Sequence, residues 1–191
     1  MARRAETDEI EIGQTAEPAA YSAAIAAAAL KAGQFAPDFT LPDLRGGTVS
    51  LSRLLASGPV VLTFHRSDRR PHFAASLRAL LAIQPDVARL GAAIVAISPR
   101  EPAATPALDG PALPFAIARD RGAKVAGAYG LAFAPPAGTG RRDGALSIPA
   151  TYVVDRDGRI ALSFIDADHR NRVEPDQLLA ALAGLRHRRG G

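Results

Sequence analysis

The sequence predicts an α/β domain in which a central mixed β-sheet is flanked by helices. Two continuous, largely apolar runs, 59–64 and 92–97, in each of which half of the residues are β-branched, are typical of strands buried on both faces of a sheet. A helical pattern lies between them, which predicts a right-handed crossover joining parallel strands. Two later strands, 150–154 and 160–165, flank an Asp-Gly pair, a strong hairpin signal that adds an antiparallel part to the sheet.

The composition limits the chemistry of the chain more than its size does. Its 191 residues fit about one domain, and 48% hydrophobic with 22% charged residues is typical of a soluble globular chain. The sequence contains no cysteine. This excludes a thiol nucleophile, a disulfide, a thiolate zinc site and a cysteine-ligated iron-sulfur cluster, because each of them requires the sulfur.

The charge pattern gives little support for a nucleic-acid or membrane partner. There are 23 basic and 19 acidic residues, a formal charge of +4, and no helix-turn-helix, RNA-binding or zinc-finger pattern accompanies the arginine pairs. The longest apolar run, 23–30, is far shorter than the roughly 20 residues that span a bilayer. The first residues mix both charges, unlike a secretory signal. We therefore expect a cytoplasmic protein that binds neither nucleic acid nor membrane.

The chain divides into four predicted segments. Residues 1–16 are polar and without period, which predicts a flexible tail, and the Ala-rich stretch 17–32 predicts a leader helix that Gly33 ends. Residues 33–186 form the predicted domain, and 187–191 form a basic tail.

The first half of the domain begins with a small hairpin. Short strands at 39–41 and 44–50 surround a Gly-Gly turn, and Ser50 or Ser52 can cap a short helix after it. The buried strand 59–64 follows, and the helix of the crossover is predicted over 71–90.

The second half completes the sheet. It has a short strand at 113–117, a helix near 123–129, a long Gly- and Pro-rich loop over 132–147, the hairpin, and a closing helix over 174–185. A parallel βαβ unit followed by an antiparallel ββα unit is the order of a thioredoxin-like fold.

Several motifs, in the same order, also carry a family resemblance. They include Ala36-Pro37-Asp38-Phe39, and the matching segments are 33–42, 47–55, 58–64, 95–99 and 148–160. This set resembles peroxiredoxin-like proteins of the alkyl hydroperoxide reductase and thiol-specific antioxidant (AhpC/TSA, redoxin) family. The resemblance covers about residues 31–185 and implies a thioredoxin-like fold.

The resemblance also implies where reactive cysteines would stand. In the branch of the family that this sequence most resembles, the strand corresponding to residues 60–64 leads into a motif like FYRGxWCPYC. The aligned stretch here, 64–73, reads FHRSDRRPHF. Phe64, Arg66 and Pro71 match that motif, whereas Arg70 replaces the peroxidatic cysteine and Phe73 replaces the second one. The family's thiol activity therefore does not carry over, although its frame does.

The loop after strand 59–64 holds the candidate site. Two interpretations of this loop are open. Its cations and the free NH groups of the following helix would form a pocket for a carboxylate or phosphate. Alternatively, the arginines face solvent and became fixed once selection for the thiol was lost. We predict ligand contacts from Arg66, Asp68, Arg69, Arg70 and Pro149, and candidate acid/base or clamping roles for His65, Arg66 and His72. The spacing of the two histidines does not indicate a metal, and we predict neither metal nor cofactor.

Pro149 is placed by the resemblance before the hairpin strand. In thioredoxin-like folds a cis proline at this position faces the active-site loop, and a cis bond here would support the assignment. Such bonds are uncommon, at about 5 to 6% of X–Pro bonds in folded chains.

The predicted function is that of a cysteine-less, peroxiredoxin-like protein that has lost thiol peroxidase chemistry and acts as a binding or interaction module. Its partner would be a small anionic ligand or a protein, and the resemblance implies a homodimer. One alternative is a repurposed enzyme that uses the same cleft for acid/base chemistry on a small anionic substrate. Another is a purely structural subunit, since the resembled family commonly forms dimers.

Overall fold

The described part of the chain covers most of the predicted domain. The computed structural model describes residues 24, 26–66, 70–99, 113–133, 145–166 and 173–187, with the backbone alone at 70–72 and 187. The predicted tail over 1–16 lies outside the described residues, and so does the basic tail after residue 187.

The described residues form nine strands, four α-helices and one short 3-10 helix, Arg121–Ala123, apart from the leader segment. The strands are β1 Thr40–Pro42, β2 Thr48–Ser50, β3 Val60–Phe64, β4 Ala93–Ser98, β5 Ala116–Arg119, β6 Ala132–Phe133, β7 Leu146–Ser147, β8 Ala150–Val154 and β9 Ile160–Ile165. The helices are α1 Leu51–Ser57, α2 Arg70–Arg89, α3 Lys124–Ala128 and α4 Pro175–His187.

The central sheet has five strands in the order β5-β4-β3-β8-β9. Strand β3 pairs parallel with β4 and antiparallel with β8, β5 adds a second parallel pair, and β9 pairs antiparallel with β8. Every residue of β3 is buried, as its unbroken apolar run predicts for a strand covered on both faces. The mixed sheet predicted from the sequence is confirmed.

Alternate residues of β3 enter two separate cores. Leu62 and Phe64 pack on the face covered by the β1–β2 hairpin, α1 and α3, whereas Val61 packs on the other face. There it meets Leu77 of α2 and Leu178 of α4. Helices therefore flank both faces of the sheet, and Ser50 caps α1 by accepting a hydrogen bond from the backbone N of Arg53.

The leader segment docks beside α3. Its described helical residues end at Ala28 and a bend follows at Ala29, after which the Leu30 N–H donates to the carbonyl of Tyr129 over 3.1 Å. The helix thus ends five residues before Gly33, where the sequence predicted its end. Gly130 lies at φ +71° against Ala28, where a Cβ atom would come within 2.4 Å of the Ala28 carbonyl oxygen. A side chain at position 130 would therefore disturb the docking.

Two strand predictions differ from the structure. Strand β5 begins at Ala116, three residues later than predicted, and the predicted long loop over 132–147 holds an antiparallel pair, β6 with β7. Phe133 and Leu146 of this pair join Ile148 in a small apolar cluster. Strands of two residues are too short to give a periodic signal, which is why sequence reasoning missed them.

The start of the central β-α-β unit depends on a close backbone contact at Gly58. A Cβ atom added there would lie 2.0 Å from the carbonyl oxygen of Gly91, next to the hydrogen bond from Ala93 N to Pro59 O. We expect Gly58→Ala to lower the free energy of unfolding by about 2 kcal/mol or more, because backbone must shift. Urea denaturation measures this. The control Gly184→Ala, at an open position in α4, should stabilise the chain by about 0.5–1 kcal/mol. Equal effects of the two changes would contradict the prediction.

Candidate functional site

The candidate site lies at the sheet edge where the parallel strands end. The His65 N–H donates to the carbonyl of Ile97 over 2.9 Å, which continues the β3–β4 ladder by one residue. On the other side Phe64 is paired with Ala150, so Pro149 lies beside His65. The register therefore brings together three of the predicted site residues, His65, Arg66 and Pro149.

The side chain of His65 is turned into the protein. It is 6% exposed, and its ring meets the ring of Phe73 edge-on, with centroids 5.0 Å apart. Phe73, in the first turns of α2, is itself buried and belongs to the core between α2 and the sheet. The position where the family resemblance implies a second cysteine is thus filled by a core aromatic that covers the candidate histidine.

Arg66 is a partly exposed cation at this edge. Its side chain is half-buried, and the guanidinium carbon lies 5.1 Å from the ring centroid of Phe133 in β6. This is a cation–π geometry, which orients the guanidinium over the ring. His65 and Arg66, although adjacent in the chain, contact different elements of the fold.

Pro149 occupies the predicted place but not the expected conformation. None of the peptide bonds between described residues is cis, so the Ile148–Pro149 bond is trans. Backbone hydrogen bonds hold the segment on both sides: the Ile148 N–H donates to the carbonyl of Leu131, and the Pro149 carbonyl accepts from the Asp166 N–H, each over 2.9 Å. The expectation of a cis proline was wrong. The backbone hydrogen bonds on both sides of Pro149 form with the trans isomer, which is the more stable one.

The remaining candidates are placed only in part. Arg70 and His72 lie in the first turn of α2, where the backbone is described, and Asp68 and Arg69 lie outside the described residues. Within the described ranges there is no group of three histidine or carboxylate side chains that would hold a metal ion.

Asp120 is a buried carboxylate near this edge that sequence reasoning did not single out. It is 1% exposed and follows β5, and its two oxygens accept hydrogen bonds from the backbone N of Val125 and of Ala126, over 3.0 and 2.8 Å. These contacts satisfy NH groups at the start of α3. The carboxylate thus has a structural role. The sequence does not reveal this role, because the NH groups that it binds lie five and six residues further along the chain.

Behind the end of β3 lies a buried aromatic cluster. The ring of Phe64 is 5.0 Å from that of Tyr129 and 6.0 Å from that of Tyr152, and the two tyrosine rings are 5.4 Å apart. The Tyr129 hydroxyl donates to the carbonyl of Pro37 over 3.0 Å, whereas the Tyr152 hydroxyl is buried without a hydrogen bond. Burial raises the pKa of both phenols above the usual value near 10, and for Tyr129 the neighbouring Tyr152 and Asp38 add to the effect.

The fold and these motifs agree with a comparison against known families. The model of the AhpC/TSA family matches residues 32–163, well over half of the sequence. The chain belongs to the AhpC/TSA family. The resemblance drawn from the motifs is therefore confirmed.

Curated peroxiredoxins are among the relatives of this AhpC/TSA chain. It is 31% identical over 146 residues to the chloroplastic peroxiredoxin Q of Populus jackii, an alignment covering 76% of this chain and 62% of that protein. With the chloroplastic peroxiredoxin Q of Arabidopsis thaliana the identity is 29%, over 86% of this chain and 74% of the relative. This chain spans less than two thirds of the length of the Populus relative.

Solved structures confirm the thioredoxin-like fold of this AhpC/TSA chain. The peroxidoxin BcpB of Mycobacterium tuberculosis superposes with a TM-score of 0.66 at 24% identity, covering 81% of this chain and 97% of that structure. The 2-Cys peroxiredoxin of Plasmodium vivax superposes with a TM-score of 0.68 at 16% identity, over 84% of each chain. At these identities the likeness concerns the fold alone.

The aromatic cluster gives a matched pair of substitutions. Tyr152→Phe removes a buried hydroxyl that has no hydrogen bond, so the free energy of unfolding should stay within about 0.5 kcal/mol of the wild type or rise. Tyr129→Phe removes the hydrogen bond to Pro37 and should cost about 1 kcal/mol. Chemical denaturation of both variants measures the difference. A larger loss for Tyr152→Phe than for Tyr129→Phe would contradict the geometry.

The raised pKa values of the two phenols also predict a dependence on alkaline pH. Below pH 10 both phenols are protonated in the folded and unfolded chain; above it the unfolded chain loses protons that the folded chain retains. Stability should therefore fall as the pH rises above 10. Thermal melts between pH 8 and 11 should show a shallower fall for Tyr152→Phe than for wild type, and parallel curves would disagree with the prediction.

Proposed function

We propose that this chain is a cysteine-less member of the AhpC/TSA family that binds a small anionic ligand at the end of β3, without thiol peroxidase activity. The observation that carries the proposal is the combination of an intact family fold with a sequence that has no cysteine. Peroxidatic chemistry in this frame needs a thiolate, and the chain has none. What the edge of the sheet retains is positive charge.

Arg66 supports the ligand-binding part of the proposal. Its guanidinium is oriented by Phe133 at the end of the central strand and stays partly exposed. A planar guanidinium can meet a carboxylate or phosphate through two parallel hydrogen bonds. Holding the cation in place before binding reduces the entropy lost when the ligand arrives.

The start of α2 adds a second favourable element. This helix runs for 20 residues from Arg70, so its first NH groups lack partners within the helix and face the same edge as Arg66. Helix N-termini attract anions through these NH groups and the helix dipole. In our proposal Asp68, Arg69 and Arg70 flank the bound anion, and Pro149 forms the opposite wall.

Acid/base catalysis on the bound anion remains a second hypothesis, with His65 or His72 as the base. A general base must reach the proton that it removes. His65 is 6% exposed with its ring against Phe73, an arrangement that favours binding over catalysis by this residue. We therefore propose binding as the principal role.

A protein partner, including a second copy of the chain, belongs to the same proposal. The interaction would use the same edge, because a carboxylate side chain presents the same group as a small anion.

No helix within the described ranges is long and apolar enough to cross a membrane. A cytoplasmic location stays a prediction, and light scattering of the purified protein tests the homodimer.

The anion site is tested by titrating acetate, phosphate and a dicarboxylate into the full chain by calorimetry. We expect Arg66→Gln to weaken binding about tenfold or more, because one charge-assisted contact is lost. Arg78→Gln, which removes an exposed arginine on α2, is the matched control and should leave the affinity unchanged. Equal weakening by both variants would show only an effect of net charge and would refute the site.

The loss of peroxidase chemistry is tested in the same preparation. The wild type with a dithiol reductant should consume hydrogen peroxide no faster than the reductant alone. Arg70→Cys restores a thiol at the position of the missing peroxidatic cysteine and shows whether the frame still supports its chemistry. Peroxide turnover by the wild type would overturn the proposal. Conversion of the bound anion, followed by NMR of the ligand, would instead favour the enzymatic hypothesis.

A further inference from the structure

A cavity of about 460 Å³ lies at the end of the sheet opposite to the candidate site. Its wall includes Ala93, Ile94 and Val95, the first residues of β4, whereas the backbone of His65 meets Ile97 near the last residue of that strand. The six residues of β4 separate the two ends by about 16 Å. The cavity is therefore a separate feature.

The lining of the cavity combines apolar and polar side chains. The apolar ones include Val87 of α2, Ile94 of β4 and Phe115, all buried. Hydroxyl and amide groups come from Ser50 and from Gln84 of α2. A volume of this size with mostly apolar walls and a few polar groups is typical of small-molecule sites, which occupy roughly 300–1,000 Å³.

Two arginines and one carboxylate set the charge of the cavity. Arg45 is committed to the fold, since its guanidinium donates to the carbonyl of Leu113 over 2.7 Å and pairs with Asp43 at 3.3 Å. Asp43 is only 12% exposed and also accepts from the Arg45 backbone N, so its charge is balanced. Because Arg45 and Asp43 neutralise each other, the net charge of the lining comes from one further cation.

That cation is Arg53, in the first turn of α1. Its side chain is exposed and makes no hydrogen bond or ion pair within the described part of the chain, while its backbone N is held by the Ser50 hydroxyl. The backbone anchor fixes the base of the side chain at the cavity, and the guanidinium remains available. A free guanidinium in a cavity with apolar side chains is suited to a carboxylate that carries a hydrocarbon body.

We propose that this cavity is a second ligand site that takes a small organic carboxylate, with the carboxylate at Arg53 and the hydrocarbon body on Val87, Ile94 and Phe115. Gln84 is a further polar group in the lining of the cavity. The site is independent of the anion site at Arg66, because a different cation at the opposite end of the sheet forms it.

The proposal is tested by NMR titration of the isotope-labelled full chain with hexanoate, and with hexanamide as the neutral probe of the same length. Hexanoate should shift the backbone amides of Ser50, Ile94 and Ala116, which line the cavity, and hexanamide should bind about tenfold more weakly. Arg53→Gln should weaken hexanoate binding by a similar factor.

Two control variants separate this site from general charge effects and from the anion site. Arg121→Gln removes an exposed arginine after the carboxyl end of β5 and should leave the shifts at the cavity unchanged, as should Arg66→Gln. The inference is overturned by the absence of cavity shifts at millimolar hexanoate, by equal binding to wild type and Arg53→Gln, or by loss of the cavity shifts in Arg66→Gln.

Discussion

The pairing of β3 on both of its edges is the constraint on which the rest of the molecule depends. Five residues register parallel with β4 and antiparallel with β8, and all five are buried. Because side chains alternate between the faces, this one strand contributes to both cores and fixes the positions of the helices above and below. The candidate site begins where the strand ends, so the position of His65 and Arg66 follows from this pairing.

The change of Cys to Phe at position 73 that the family resemblance implies has a physical consequence for the site. A phenyl ring at the start of α2 is large enough to reach His65 across the edge of the core, and it removes that imidazole from solvent. The nearby carboxylate of Asp120 is likewise committed to the start of α3. The His65 ring and the Asp120 carboxylate thus contact other parts of the fold, and Arg66 keeps partial exposure at this edge.

Much of the fold could be predicted because its signals are long. The runs at 59–64 and 92–97 and the Asp-Gly hairpin each appear in the structure within a residue or two, since burial on both faces demands continuous apolar sequence. The β6–β7 pair and the early end of the leader helix were missed, because contacts between distant residues decide them. Leu30 pairs with Tyr129, and nothing near either residue in the sequence shows it.

The site was predictable in position but not in orientation. The strand-loop-helix order places residues 65–73 at the sheet edge, yet which way each side chain turns depends on Phe73 and Phe133, which come from α2 and β6. The cavity near Arg53 was not predicted at all, because it joins a hairpin, a helix start and two strand starts that are far apart in the chain. Only the structure shows which arginines already have an acidic partner. Arg45 is paired with Asp43, so Arg53 is the arginine of this cavity that is a candidate for binding a ligand. Chemistry that depends on unpaired charge is therefore visible in the fold and hidden in the sequence.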